Sequence, residues 1–223
     1  MIERYALYEI DKLRDRFDLA DGVPKGVKKR YNILPAQQVP VILQRDGTRV
    51  MEVMRWGFVS QNAKDTNSIF RYKTFVARTE DIFKTVMWSR SISSRRCLVP
   101  ANGFYVWSKS ADAKVPYYIQ VKDRPLVALA GIYSSWTDSD GVESGMVSII
   151  TTRANADVSS VTERLPIIIQ PDKEDLWLNA DGDDVSSLYD IMRVAPHQSL
   201  IAHQVGDAVF SKKADGPELI REV

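Results

Sequence analysis

A single cysteine, Cys97, stands among the 223 residues. One thiol excludes an intramolecular disulfide and a cysteine-based zinc site, and it suits a reducing compartment, the cytoplasm. Histidine is almost as scarce: His197 and His203, both late in the chain, suit loop or surface positions. No metal and no cofactor is expected. Neither sign of charge is in excess, since 30 Lys and Arg face 29 Asp and Glu and leave a net charge of +1. A nucleic acid would therefore have to be met by a local cluster and not by a general basic field. No apolar run reaches 18 residues, and Arg4 and Glu9 stand where a signal peptide needs an apolar core. Neither a membrane span nor a signal peptide is expected. Internal repeats and low-complexity tracts are missing as well.

What is present is the composition of an ordinary globular protein, 44% hydrophobic and 26% charged, enough for one domain over residues 1–223 with a substantial core. Residues 4–8 alternate as a strand. Ile10, Leu13 and Phe17 then follow at helical spacing. The basic run Lys28-Lys29-Arg30 reads as a solvated loop. Asp46-Gly47 predicts a hairpin between strands at 39–43 and 50–58. Residues 61–72 lack periodicity and read as a surface loop. A helix is predicted over 80–88, capped by Thr79, with Ile82, Phe83, Val86 and Met87 on its inner side. Further strands are predicted at 115–121, 126–132, 146–151, 166–170 and 200–205, and helices at 171–178 and 183–194, before a polar tail. Many short strands with few helices and no βαβ rhythm favour an α+β fold.

The stretch around which the chain is organised is residues 95–107, R-R-C-L-V-P-A-N-G-F-Y-V-W. Asn102-Gly103 accepts positive φ between β-branched and aromatic flanks, so strand, glycine turn and strand are expected, a core hairpin. Its company is more specific. Arg4-Tyr5-Ala6-Leu7, Arg30-Tyr31-Asn32 with Pro35, Ala77-Arg78-Thr79-Glu80 and Ala130-Gly131-Ile132 with Trp136 precede Thr151-Thr152, Ala154-Asn155 and Arg164-Leu165-Pro166. In this order, over nearly the whole chain, they closely resemble the SOS-response-associated peptidase (SRAP) family, the abasic-site processing proteins. The resemblance implies one compact domain with a curved, barrel-like mixed sheet and peripheral helices.

It also implies a chemistry, and at each position that carries it this chain has another residue. The family captures the aldehyde of an abasic site as a thiazolidine, using the free amine and thiol of a cysteine exposed by loss of the initiator methionine. Here that position is Ile2, whose bulk should leave Met1 attached. The family's asparagine before Ala77-Arg78 is Val76, its glutamate in Gly-Phe-Tyr-Glu-Trp is Val106, and its histidine before Glu163-Arg164 is Thr162. A valine cannot transfer a proton. With three of the four replacements aliphatic, the pocket floor is expected to be a dry, packed surface, which removes the penalty of stranded polar groups. Cys97 reads as a buried, inert thiol. The Met1 amine, titrating near ~8, is the one remaining group that could form a reversible Schiff base and promote β-elimination.

For binding, the resemblance implies that Arg4, Arg78 and Arg164 face phosphates of single-stranded DNA, with Asn32 and Pro35 lining the pocket. Planar guanidinium forks suit phosphate oxygens. The alternative for each arginine is a local carboxylate, and Glu80 and Glu163 are expected to pair with Arg78 or Arg164. The family's paired wedge tryptophans fall near Asn62 and Ala63, so an aromatic platform is lost there. A protein partner at the filled former active site is the rival to DNA.

Overall fold

Asp46 and Gly47 both take positive φ, 48° and 80°, the geometry that a two-residue hairpin turn requires. The turn sets a register running from Arg45↔Thr48 out to Gln38↔Arg55. The computed structural model describes residues 2–59, 63, 65–109, 114–181, 184–193 and 200–223.

Along the chain the strands are β1 (Arg4–Leu7), β2 (Arg30–Ile33), β3 (Gln38–Arg45), β4 (Thr48–Trp56), β5 (Val76–Arg78), β6 (Arg96–Ala101) and β7 (Gly103–Lys109). There follow β8 (Lys114–Val121), β9 (Val127–Thr137), β10 (Glu143–Arg153), β11 (Arg164–Pro166), β12 (Ile168–Ile169) and β13 (Leu200–Gln204). The helices are α1 (Leu13–Phe17), α2 (Ser68–Tyr72), α3 (Val86–Ser94), α4 (Glu174–Asn179) and α5 (Val185–Arg193).

Five strands close on themselves. β4 pairs with β3, β3 meets β6 at Ile42↔Leu98, β6 pairs with β9, β9 with β10, and β10 returns beside β4. That last pairing is parallel and the others antiparallel, so the barrel is mixed. Farther along β10 the neighbours change: β5 pairs with it on one side and β11 on the other. A second, antiparallel sheet has the order β13-β8-β7-β1-β2. Its inward side chains, among them Tyr5, Leu7, Phe104, Val106 and Ile119, join the barrel's core. The expected α+β domain with a barrel-like mixed sheet is what forms.

The expected hairpin over 95–107 does not. β6 and β7 never pair: Ala101 sits opposite Val127 in the barrel, whereas Gly103 sits opposite Ala6 in the second sheet. The chain turns a corner between sheets at Asn102, whose Oδ1 accepts the amides of Tyr8 (2.7 Å) and Glu9 (3.1 Å) and whose Nδ2 donates to the Pro125 carbonyl. Neither Asn102 nor Gly103 has positive φ. Glycine is needed for room instead, because a Cβ at 103 would lie 2.4 Å from the Tyr118 ring and 2.6 Å from the Ile119 carbonyl oxygen.

Three local expectations also change. Ser68–Tyr72 forms a short helix within the stretch read as loop. The helix expected over 80–88 starts only at Val86: Thr79 stays with the strand layer, its amide on the Thr151 carbonyl at 3.0 Å, and the next residues form turns in which the amides of Lys84 (3.0 Å) and Thr85 (2.9 Å) meet the Asp81 carbonyl. Val86 and Met87 are consequently exposed, and Trp88, Ser91 and Ile92 form the buried face. The polar tail is not loose. Val209 and Leu219 pack with Ala6, Tyr105 and Tyr118 on the outer face of the second sheet.

Arg96 fastens two helices to the barrel. Its buried guanidinium donates to the carbonyls of Ile92 and Ser93 in the last turn of α3 (both 2.7 Å), and to those of Trp177 (2.7 Å) and Ala180 at the end of α4. Orphan carbonyls at helix C-termini carry partial negative charge, so one cation satisfies both ends.

Candidate functional site

The positions matched to the family's chemistry are closed. Ile2, Val76 and Val106 are buried members of one continuous apolar cluster. Val106 points inward because β7 alternates, sending Tyr105 and Trp107 to the opposite face. Val76 holds its place in β5 opposite Ile149 of β10. Thr162 is buried too, and its hydroxyl donates to the Arg164 carbonyl at 3.1 Å while accepting the Arg164 amide at 3.4 Å. Cys97 is sealed in the barrel and burial pushes its thiol well above the ordinary range. His203 is half-buried with Nε2 2.8 Å from the Ile220 carbonyl. Met1, Asn62 and His197 lie outside the described residues.

Around the far end of β10 the binding candidates divide in use. Thr151 sits opposite Arg78 of β5 and Pro166 of β11. Arg164, held by the Thr151 carbonyl at 2.8 Å, forms a two-pronged pair with Glu80, both N–O distances being 2.9 Å. Arg153 reaches the same carboxylate at 4.0 Å. Arg78 is exposed, and no hydrogen bond or ion pair engages its guanidinium among the described residues.

The Arg164 hydrogen bonds lower the Glu80 carboxyl from an ordinary 4.5 to about 2. A depressed carboxyl stabilises the folded state above its unfolded pKa, and that contribution is lost as pH falls through the folded value. The Glu80–Arg164 link should therefore persist at pH 5 and dissolve between about 4.5 and about 2. Carboxyl NMR titration checks this, and a Glu80 midpoint near 4.5 would contradict it.

Arg4 and Asn32 form a separate group. The Arg4 guanidinium donates to Asn32 Oδ1 (2.9 Å) and the Phe210 carbonyl (3.0 Å). Asn32 Nδ2 donates in turn to the carbonyls of Ser211 (3.0 Å) and Ala214 (2.8 Å). Both side chains hold the docked tail, and Asp215 strengthens it by accepting the Asn32 amide (2.8 Å) and pairing with Arg30. Pro35 is buried in the turn between β2 and β3, beside Ala36, whose amide donates to the Trp56 carbonyl at 2.7 Å. Among the described residues no hydrogen bond or ion pair joins Arg4 and Asn32 to Arg78 and Arg164.

Next to Val76 and Arg78 lies a cavity of 290 Å³, also lined by Tyr72, Lys73, Asp81, Thr85 and Trp88. No periodicity in 61–72 marks this cavity in the sequence; its signal there is the aromatics at 70, 72 and 75 beside Arg71 and Lys73. Among the described residues no group of His, Cys, Asp and Glu is placed to hold a metal ion, and no helix is long and apolar enough to cross a membrane.

The model of the family "SOS response associated peptidase (SRAP)" matches residues 1–212. Abasic site processing protein YoaM of Bacillus subtilis is 31% identical over 223 residues, covering 99% of this chain and 97% of that one. Abasic site processing protein YoqW of the same organism is 30% identical, covering 99% of each. A crystal structure of a protein from Bacteroides thetaiotaomicron superposes with a TM-score of 0.84 over 99% of each chain at 24% identity, a likeness of fold. Because the family model takes in the barrel, the second sheet and the start of the tail, this chain belongs to the SOS response associated peptidase family.

Proposed function

We propose that this protein engages abasic or other single-stranded DNA in the DNA damage response without forming the thiazolidine crosslink. One observation carries the proposal: the chain's sole thiol is walled into the barrel, while Ile2, Val76 and Val106 are packed as core. A thiazolidine needs an amine and a thiol on adjacent carbons at one accessible place, and the described residues offer none. The names of the relatives, abasic site processing proteins, point to damaged DNA as the ligand and do not point to a protein partner. Arg78 is the guanidinium best placed to meet a phosphate, since Arg4 and Arg164 already serve internal acceptors.

Incubation with an abasic oligonucleotide, with and without borohydride, followed by denaturing electrophoresis tests the covalent half. No heat-stable adduct is expected without the reductant, and a band there overturns the proposal. An adduct that needs borohydride identifies a Schiff base at an amine. Anisotropy across a salt series tests the other half: Arg78→Ala should lower the logarithmic salt slope by ~0.7, one phosphate contact on a single strand. Absence of binding even at low salt would eliminate DNA as the ligand.

A further inference from the structure

The cavity beside Val76 has features that the lost chemistry does not explain. One wall of it is Tyr72, 68% exposed, at the last position of α2. The helix stops there because Lys73 turns left-handed, with φ of 51°, and its amide returns to the Ile69 carbonyl. That reversal buries Thr74 and Phe75 and leaves Tyr72 and Lys73 outside. Trp88, in the same lining, is held firmly, since it is only 8% exposed and packs its ring 5.0 Å from that of Phe58. An accessible phenol ring and a fixed indole thus line the same cavity.

The charges are as specific. Lys73 and Arg78 both line the cavity, and Arg71 holds its guanidinium 6.0 Å from the Tyr72 ring centre. Among the described residues none of the three forms an ion pair. Glu80 is taken by Arg164, which leaves Asp81 as the carboxylate of the lining. A purely apolar peptide would leave the two cations unmatched, and a free phosphate would leave the two rings unused. An aromatic ligand that carries anions on either side satisfies both. At 290 Å³ the space lies at the low end for small-ligand clefts, which suits a single ring system.

We infer that this cavity receives one unstacked base of a DNA strand, seated on Tyr72 against Trp88, while Lys73 and Arg78 take the flanking phosphates. Asp81 and Thr85 supply an acceptor and a hydroxyl for the base edge. The inference rests on the strand-binding proposal above and adds a base subsite to it. Base–aromatic stacking tolerates any sequence because every base has a π-face, so the subsite would hold an intact nucleotide beside a damaged one.

The test compares a single-stranded oligonucleotide with an equally long strand made only of tetrahydrofuran abasic residues, which keeps every phosphate and lacks every base. Tyr72→Ala should weaken the base-bearing strand roughly 5- to 150-fold, the range for one lost stack, and leave the abasic strand unchanged. Tyr72→Phe should retain wild-type affinity, and Arg78→Ala should weaken both strands. Tyr72 is exposed, so these substitutions leave the fold intact. Equal affinity of wild type and Tyr72→Ala for the base-bearing strand overturns the base subsite while strand binding stands. Failure of the wild type to bind either strand overturns both.

Discussion

Val106→Glu, the change that introduces the carboxylate which the resemblance implies at this position, is expected to unfold the protein more readily and to give no crosslink. The side chain at 106 lies on the inner face of β7, fully buried in the apolar cluster shared with Ile2 and Val76. The new carboxyl would have to be desolvated without a partner, or be protonated and still lack a hydrogen bond. Either costs several kcal/mol, ~3–5 by analogy with unpaired buried charges. With ~2–4 °C of melting temperature per kcal/mol for a chain of this size, the transition should fall by about ten degrees. The loss should be smaller near pH 4 than at pH 7, because only the unfolded chain ionises this group freely and each pH unit above its unfolded pKa favours unfolding. Thermal melts at the two pH values measure this. A melting temperature within two or three degrees of wild type, or a heat-stable adduct with abasic DNA, would show that position 106 opens onto a working pocket.

Arg96→Met is the second large effect, and it has nothing to do with DNA. Methionine preserves much of the stem volume but leaves the carbonyls of Ile92, Ser93, Trp177 and Ala180 without their donor. Each hydrogen bond to a charged group is worth ~1.5–3 kcal/mol before non-additivity. Relief from burying the guanidinium offsets part, so a net loss of ~3–5 kcal/mol is expected in urea titration. Arg96→Lys should recover only a fraction, since an ammonium is a point charge and cannot fork toward two helix ends. The diagnostic readout is amide exchange, which should accelerate in the last turns of α3 and α4 together. Acceleration in one helix alone would mean that the shared cap is not what fastens the other.

Strand existence was legible wherever local chemistry decides it. Asp46-Gly47 can hardly form anything but a tight hairpin, and it does. Pairing partners were not legible, because a run such as 96–101 is equally apolar whether its neighbour is β7 or β9. Asn102-Gly103 shows the limit: the same dipeptide serves a hairpin by taking positive φ and serves a corner by lacking a side chain that would strike Tyr118. The start of the helix at 86 and not at 80 was not legible either, since nothing local marks 81–85 as turns closing on the Asp81 carbonyl. At the site, burial of Ile2, Val76 and Val106 could be read from their aliphatic character, whereas the motifs left open which of Glu80 and Glu163 meets Arg78 or Arg164; the pair that forms is Glu80–Arg164. The use of Arg4 and Asn32 to hold residues 210–214 could not be read, because that tail signals its docking with little more than Val209 and Leu219 in a polar context.

The corner at Asn102 bears on how the molecule comes apart. Its side chain ties the exit of β1 to the passage from β6 to β7 and the approach to β9 at Pro125, the last two being places where the chain crosses from one sheet to the other. Since β6 and β7 are consecutive yet belong to different sheets, neither sheet can be peeled away without pulling its neighbour's strand out of register. The barrel and the second sheet therefore form one cooperative unit, and denaturation should proceed as a single transition with no half-folded species in which one sheet outlives the other.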